Sequence, residues 1–104
     1  MKRTKYRLAL FIATAALLRA ECDCTHYPWK PESCYDTCSR KVLMGATRTQ
    51  LKDAVGLSVS TVDDVIRGRS ENFENLTAEE RSEIRERLAN LSEAAVQQLR
   101  SALQ

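Results

Sequence analysis

Four cysteines in the pattern Cys22-x-Cys24-x9-Cys34-x3-Cys38 follow directly on a basic and then apolar N-terminal stretch, and this order constrains the chain more than any other feature. Lys2, Arg3, Lys5 and Arg7 precede Leu8 to Leu18 (LALFIATAALL), an apolar run of eleven residues, which is the arrangement of a signal peptide. Eleven residues fall short of the ~20 that a membrane-spanning helix needs, so no permanent membrane anchor is expected. Ala20 is a small residue at the expected cut, leaving a mature chain that starts at Glu21 and works in the periplasm or outside the cell. Cysteines delivered to such a compartment are read as disulfides before they are read as metal ligands or nucleophiles.

Removing the leader reverses the charge. The whole chain carries 16 Lys+Arg against 14 Asp+Glu, but five of the cations and none of the anions lie in residues 1–20. The mature chain is left with eleven cations against fourteen anions, a net charge of −3, which lacks the basic footprint of a nucleic-acid binder. Its 84 residues make one small domain. At that size only about 60 to 65 % of the unfolded surface is buried on folding, so covalent staples usefully supplement a thin core. The expected organisation is a signal peptide over 1–20, a cysteine-stapled arm and the start of the first helix over 21–41, and a helical-hairpin domain over 42–104.

Pro28 and Pro31 flank Trp29 and block a helix there, predicting an extended or turning arm. Ser33 is the expected N-cap of the helix that follows, with Asp36 at its favourable end. Cys34, Cys38 and Val42 then share one stripe at i, i+4 spacing, so the disulfide face continues into an apolar face. Four cysteines allow three pairings, and the one built from the two local bridges, Cys22 with Cys24 and Cys34 with Cys38, is geometrically poor. An arm lying antiparallel to the helix favours the nested pairing, Cys24 with Cys34 and Cys22 with Cys38, while the crossed pairing stays open.

Other chemistries fit the cysteines less well. A four-thiolate metal centre is an alternative, but Cys-x2-Cys knuckles are absent, so no metal and no cofactor are expected. Covalent haem attachment needs two residues between the cysteines, and Cys22-Asp-Cys24-Thr-His26 has one. With His26 the only histidine and the cysteines oxidised, no catalytic set of nucleophile, base and orienting group is visible. Tyr27, Trp29 and Tyr35 are the candidate binding patch if exposed, and filling for a small core if not.

The remainder reads as short helices. Thr47-x-x-Gln50 is a capping box opening a helix through Ala54, stopped by Gly56. Ser58 or Ser60 caps the next, with Val62, Val65 and Ile66 on its apolar face and Gly68 at its end. Phe73 and Leu76 pin the polar loop 69–76. Thr77-x-x-Glu80 is a second capping box, and Ile84, Leu88, Leu91 and Ala95 recur at helical spacing. Ser92 is able to cap a last helix carrying Val96, Leu99 and Leu103, if the chain breaks at Asn90 to Ser92. No window alternates with period two, so the expected fold is all-α, a small bundle of short helices with a disulfide-stapled arm.

Residues Leu51 to Gly68 (LKDAVGLSVSTVDDVIRG) carry a local resemblance to two families. With Leu51, Val55, Gly56, Leu57, Thr61, Val62 and Val65 at core and turn positions, the stretch resembles the helix-turn-helix of the lac-repressor family. Lys52 stands where that motif has a small alanine, and Asp63 and Asp64 lie on the helix that would face phosphates. With Leu51, Gly56-Leu57-Ser58, Val62 and Val65 it is also similar to a helix-hairpin-helix, although Ser58 replaces the second glycine that lets backbone NH groups reach a phosphate. Either resemblance implies DNA contacts from Arg48, Lys52, Arg67 and Arg69 converging near Gly56. A structural hairpin explains the same eighteen residues. The expected function is therefore a small exported, non-enzymatic binding or accessory protein for a protein or small ligand outside the cytoplasm, with nucleic acid the alternative partner. Asn75-Leu-Thr77 and Asn90-Leu-Ser92 are glycosylation sequons with meaning only in a eukaryotic secretory pathway.

Overall fold

The computed structural model describes residues 22–104, so the leader and the expected cut after Ala20 lie outside the described residues. Helix α1 (Glu32–Gly45) begins one residue ahead of the Ser33 cap read from the sequence. Pro31 takes the N-cap position at φ −73°, and its carbonyl accepts from the backbone NH groups of Cys34 (2.9 Å) and Tyr35 (3.1 Å). Proline has no NH to leave unpaired at a helix start, which is why it displaces the serine. Cys38 and Val42 form the buried stripe of α1, as the four-residue spacing requires.

The Thr47/Gln50 capping box forms in both directions, Thr47 Oγ1 accepting from Gln50 N at 3.0 Å and Gln50 Oε1 from Thr47 N at 2.9 Å. The turn it opens, Gln50–Ala54, is wound as a π turn, with Val55 N donating to Gln50 O. Gly56 ends it at φ +85°, a conformation that L side chains rarely adopt. Helix α2 (Val59–Gly68) follows from Ser58.

Gly68 does not stop α2 by a left-handed turn, as the sequence implied; its φ is −77° and the chain runs on through a 3-10 turn, Arg69–Glu71. The glycine is needed because a Cβ would collide with the Asn75 side chain, whose Nδ2 donates to Asp64 O at 2.9 Å. That engagement also leaves the first sequon's asparagine without a free amide for a glycan. The left-handed residues are instead Asn72 (φ 54°) and Phe73 (φ 63°).

Thr77 and Glu80 form the second capping box and open α3 (Ala78–Ala89). The chain does break at Asn90, and the Ser92 side chain accepts from Ala95 N to start α4 (Glu93–Gln98), which passes through Leu99 into α5 (Arg100–Leu103). Among the described residues there is no strand, and none of the helices is long and apolar enough to cross a membrane. The fold is an all-α bundle of short helices with a disulfide-stapled arm.

One core joins the arm to the bundle: Cys24, Trp29 and Cys38 cluster with Val42, Leu51, Leu88, Leu99 and Leu103. Helix α1 runs through the boundary drawn between 41 and 42, so the arm and the hairpins fold around the same apolar centre.

The bridges are Cys22–Cys34 and Cys24–Cys38, the crossed pairing, which corrects the nested one. Two residues of extended chain advance about 6.6 Å and four residues of helix about 6 Å, so either pairing matches the spacing. Direction decides between them. The segment from Thr25 to Pro31 loops around the buried Trp29, whose Nε1 donates to Cys24 O at 2.8 Å, and this returns the chain to the Cys22 end of the arm. The arm therefore runs parallel to α1.

Candidate functional site

The three aromatic residues of the arm do not make an exposed patch. Trp29 is 5 % exposed, which corrects its assignment to a binding surface. Its ring meets Tyr27 edge-on at 5.1 Å and lies 6.1 Å from Tyr35. Tyr27 and Tyr35 are half-buried, and both spend their hydroxyls on α3 and its end. Tyr27 OH donates to Leu88 O at 2.6 Å and accepts from Leu91 N at 3.1 Å, while Tyr35 OH donates to Arg85 O at 3.1 Å. The Leu88 bond satisfies an orphan carbonyl at the helix C-terminus, and the three contacts together clamp the arm and α1 onto α3. No local sequence signal pairs residues 61 positions apart.

Nor do the four cations proposed for DNA converge as free groups. Arg48 is paired with Asp63 and Arg67 with Asp64. Arg69 Nε donates to Leu43 O at 2.7 Å and a second nitrogen donates to Ala46 O, so it caps α1 from a distance. Lys52 is exposed on the π turn. The two aspartates that oppose phosphate contact thus hold two of the arginines meant to make it.

The four-thiolate metal centre does not form, because every cysteine sulfur is bonded to another sulfur. His26 sits exposed in the arm with Nδ1 2.6 Å from Asp23 Oδ2. Hydrogen bonds from Thr25, then His26, hold the Asp23 carboxyl below its ordinary range.

What the fold does build is a groove of about 300 Å³ between α1 and α3, closed at one end by the Asn72–Phe73 turn. Leu43, Phe73, Leu76, Ile84 and Leu88 give it an apolar floor, and Arg40, Arg81, Arg85 and Asp36 give it a charged rim. Phe73 is the organising side chain. A bulky residue in the left-handed region costs on the order of 1–3 kcal/mol, and here Phe73 N donates to Gly68 O at 2.8 Å while Arg81 donates to Phe73 O at 2.6 Å. Arg40 stands over the ring with its guanidinium carbon 5.8 Å from the centroid. Ser39 Oγ, on the α1 side of the groove, is buried with no hydrogen-bond partner among the described residues. Burial raises the Tyr35 phenol above its ordinary value, so at neutral pH the groove's phenol is neutral. Sequence reading missed Arg40, Arg81 and Arg85, since they come from two helices separated by some forty residues and match no motif.

A second polar cluster is structural. Glu83 on α3 accepts from Ser58 N (2.7 Å), Ser58 Oγ (3.2 Å) and the buried Thr61 Oγ1 (2.7 Å), so it caps α2 across the bundle in place of the serine expected to do so. Burial raises the Glu83 carboxyl, but these donors and the charge of Arg87 outweigh it and leave the group below its ordinary value. A depressed carboxylate contributes stability above its unfolded pKa and loses that contribution as pH falls through the folded one. Glu83→Gln is expected to lose about 1 kcal/mol at neutral pH and to lose less than the parent chain on further acidification below about pH 4.5. Urea unfolding at neutral and acid pH checks this, and a variant with unchanged stability at both would show that the cap contributes nothing.

No protein-family model, curated protein or solved structure matches this chain.

Proposed function

We propose that this chain is a small exported, non-enzymatic binding protein, and that its ligand site is the α1–α3 groove. The observation that carries the reading is the combination on one concave surface of an apolar floor and an arginine rim. Apolar contact plus a few convergent polar groups is the general make-up of a binding site. The two disulfides point to an oxidising, non-cytoplasmic environment and support the export reading of residues 1–20. DNA binding is the weaker alternative, because Arg48, Arg67 and Arg69 are engaged within the fold and Asp63 and Asp64 flank them.

Two measurements test this function. Intact-mass analysis of protein recovered outside the cytoplasm should show loss of about twenty residues near Ala20. Recovery of the full-length chain only from the cytosol would overturn export. Affinity capture from the native compartment, run with the oxidised mature protein and with Ser39→Phe, which places a ring in the groove, should yield a ligand with the first and not the second. Equal capture by both would remove the groove from the function.

A further inference from the structure

We infer that the α1–α3 groove takes a small anionic amphiphile, a carboxylate or comparable monoanion on an apolar body; this rests on the groove being the ligand site. Charge is the first argument. Residues 22–104 carry eleven Lys+Arg against thirteen Asp+Glu, yet the rim sets Arg40, Arg81 and Arg85 around a single carboxylate, Asp36. None of the three arginines forms an ion pair among the described residues, whereas Arg48 and Arg67 do. A local excess of unneutralised arginine on an otherwise acidic surface is complementary to an anion, which the guanidinium fork binds with two hydrogen bonds.

The floor supplies the second argument. A bare inorganic anion has no use for Phe73, Leu76 and Ile84 beneath the arginines, and gains nothing from a ring held in place by a strained backbone. An apolar body attached to the anion does, at roughly 25 cal/mol for each Å² of apolar surface that leaves water.

Size and surroundings exclude larger anions. The volume of about 300 Å³ is at the small end of small-molecule sites. A stable protein partner would cover on the order of 800 Å² of each surface, well beyond the groove. A polyanion such as a nucleic acid would extend past the rim onto Glu71, Glu74 and Glu86, which adjoin the lining residues in sequence and repel phosphate.

The test uses the oxidised mature protein, with amide NMR titrations of decanoate below its micellar concentration. Decanol, decyltrimethylammonium and inorganic phosphate serve as comparison ligands. Decanoate is expected to shift amides of residues 36–43, 72–76 and 81–88 in a saturable one-to-one manner, and at least tenfold more tightly than any of the other three. Arg40→Gln with Arg85→Gln should weaken decanoate tenfold or more while leaving decanol unchanged; both side chains are exposed, so the fold should survive, and an unchanged circular dichroism spectrum checks it. Lys52→Gln, remote from the groove, should have no effect. Equal affinity for decanol and decanoate at the groove amides would overturn the anionic class while leaving the groove as a binding site. Phosphate binding as tightly as decanoate would overturn the amphiphile. Shifts confined to other surfaces, or none, would overturn the groove as ligand site together with this inference.

Discussion

Alanine replacement of the Cys24–Cys38 pair is expected to cost about 3 kcal/mol or more of stability, because the bridge closes a loop with a sequence separation of 14 and both sulfurs are buried. Replacing the Cys22–Cys34 pair, of similar loop length but half-buried, should cost less, with the difference coming from packing lost next to Val42 and Trp29. Equilibrium denaturation of the two double variants beside the parent measures both. Equal losses would show that loop closure alone operates. The connectivity itself has a direct check in a protease that cleaves before aspartate, since Asp23 separates Cys22 from Cys24 and Asp36 separates Cys34 from Cys38. The crossed bridges join three peptides through the central one, residues 23–35. The nested bridges would instead release that peptide with an internal disulfide and join the outer two. Free thiols in native material would contradict both.

Trp29→Ala is expected to be comparably damaging, by about 3–5 kcal/mol, a large share of the 5–15 kcal/mol that stabilises a typical domain. Three contributions are lost together: a buried indole, its edge-on contact with Tyr27, and the Nε1 bond to Cys24 O. Trp29→Phe keeps most of the ring and should cost about 1–2 kcal/mol, chiefly by leaving that carbonyl unpaired. The alanine variant should also loosen the groove, because Tyr27 and Tyr35 clamp α1 and the arm to α3 only while Trp29 holds the loop between them. Urea unfolding gives the energies, and loss of amide protection at Leu91, whose NH bonds the Tyr27 hydroxyl, reports the loosening. A Trp29→Ala variant within 1 kcal/mol of the parent would show that the indole is filling and not a pivot.

The contribution of the arm explains why the groove needs an oxidised protein. Helix α1 presents its cysteine stripe to the arm and Tyr35, Ser39, Arg40 and Leu43 to the groove, so the bridges that position the helix also position half of the candidate site. A chain this small has little other core with which to hold a concave surface open to solvent.

What the sequence by itself determined is most of the local structure, although Pro31 in place of Ser33 at the start of α1 and the right-handed Gly68 show that neighbours along the chain do not fix every cap. The Thr47/Gln50 and Thr77/Glu80 boxes, the Ser92 cap and the Gly56 turn each depend on residues within a few positions of one another, and each forms where its pattern lies. The apolar positions Val42, Val62, Val65, Ile84, Leu88, Val96, Leu99 and Leu103 are buried because helical periodicity admits one inward face. Tertiary structure alone decided what is shared between distant segments. Cysteine spacing suits both pairings, and the direction of the arm depends on a tryptophan that the fold buries. Ser58 looks like a self-sufficient cap until Glu83 arrives from α3, and Arg69 looks like a phosphate ligand until α1 offers its last carbonyls. Arg40, Arg81 and Arg85 carry no motif, since a groove between two helices exists only once packing has brought them side by side. Hydrogen bonds and charges are satisfied by whichever group is nearest in space, and a sequence states only which groups are nearest along the chain.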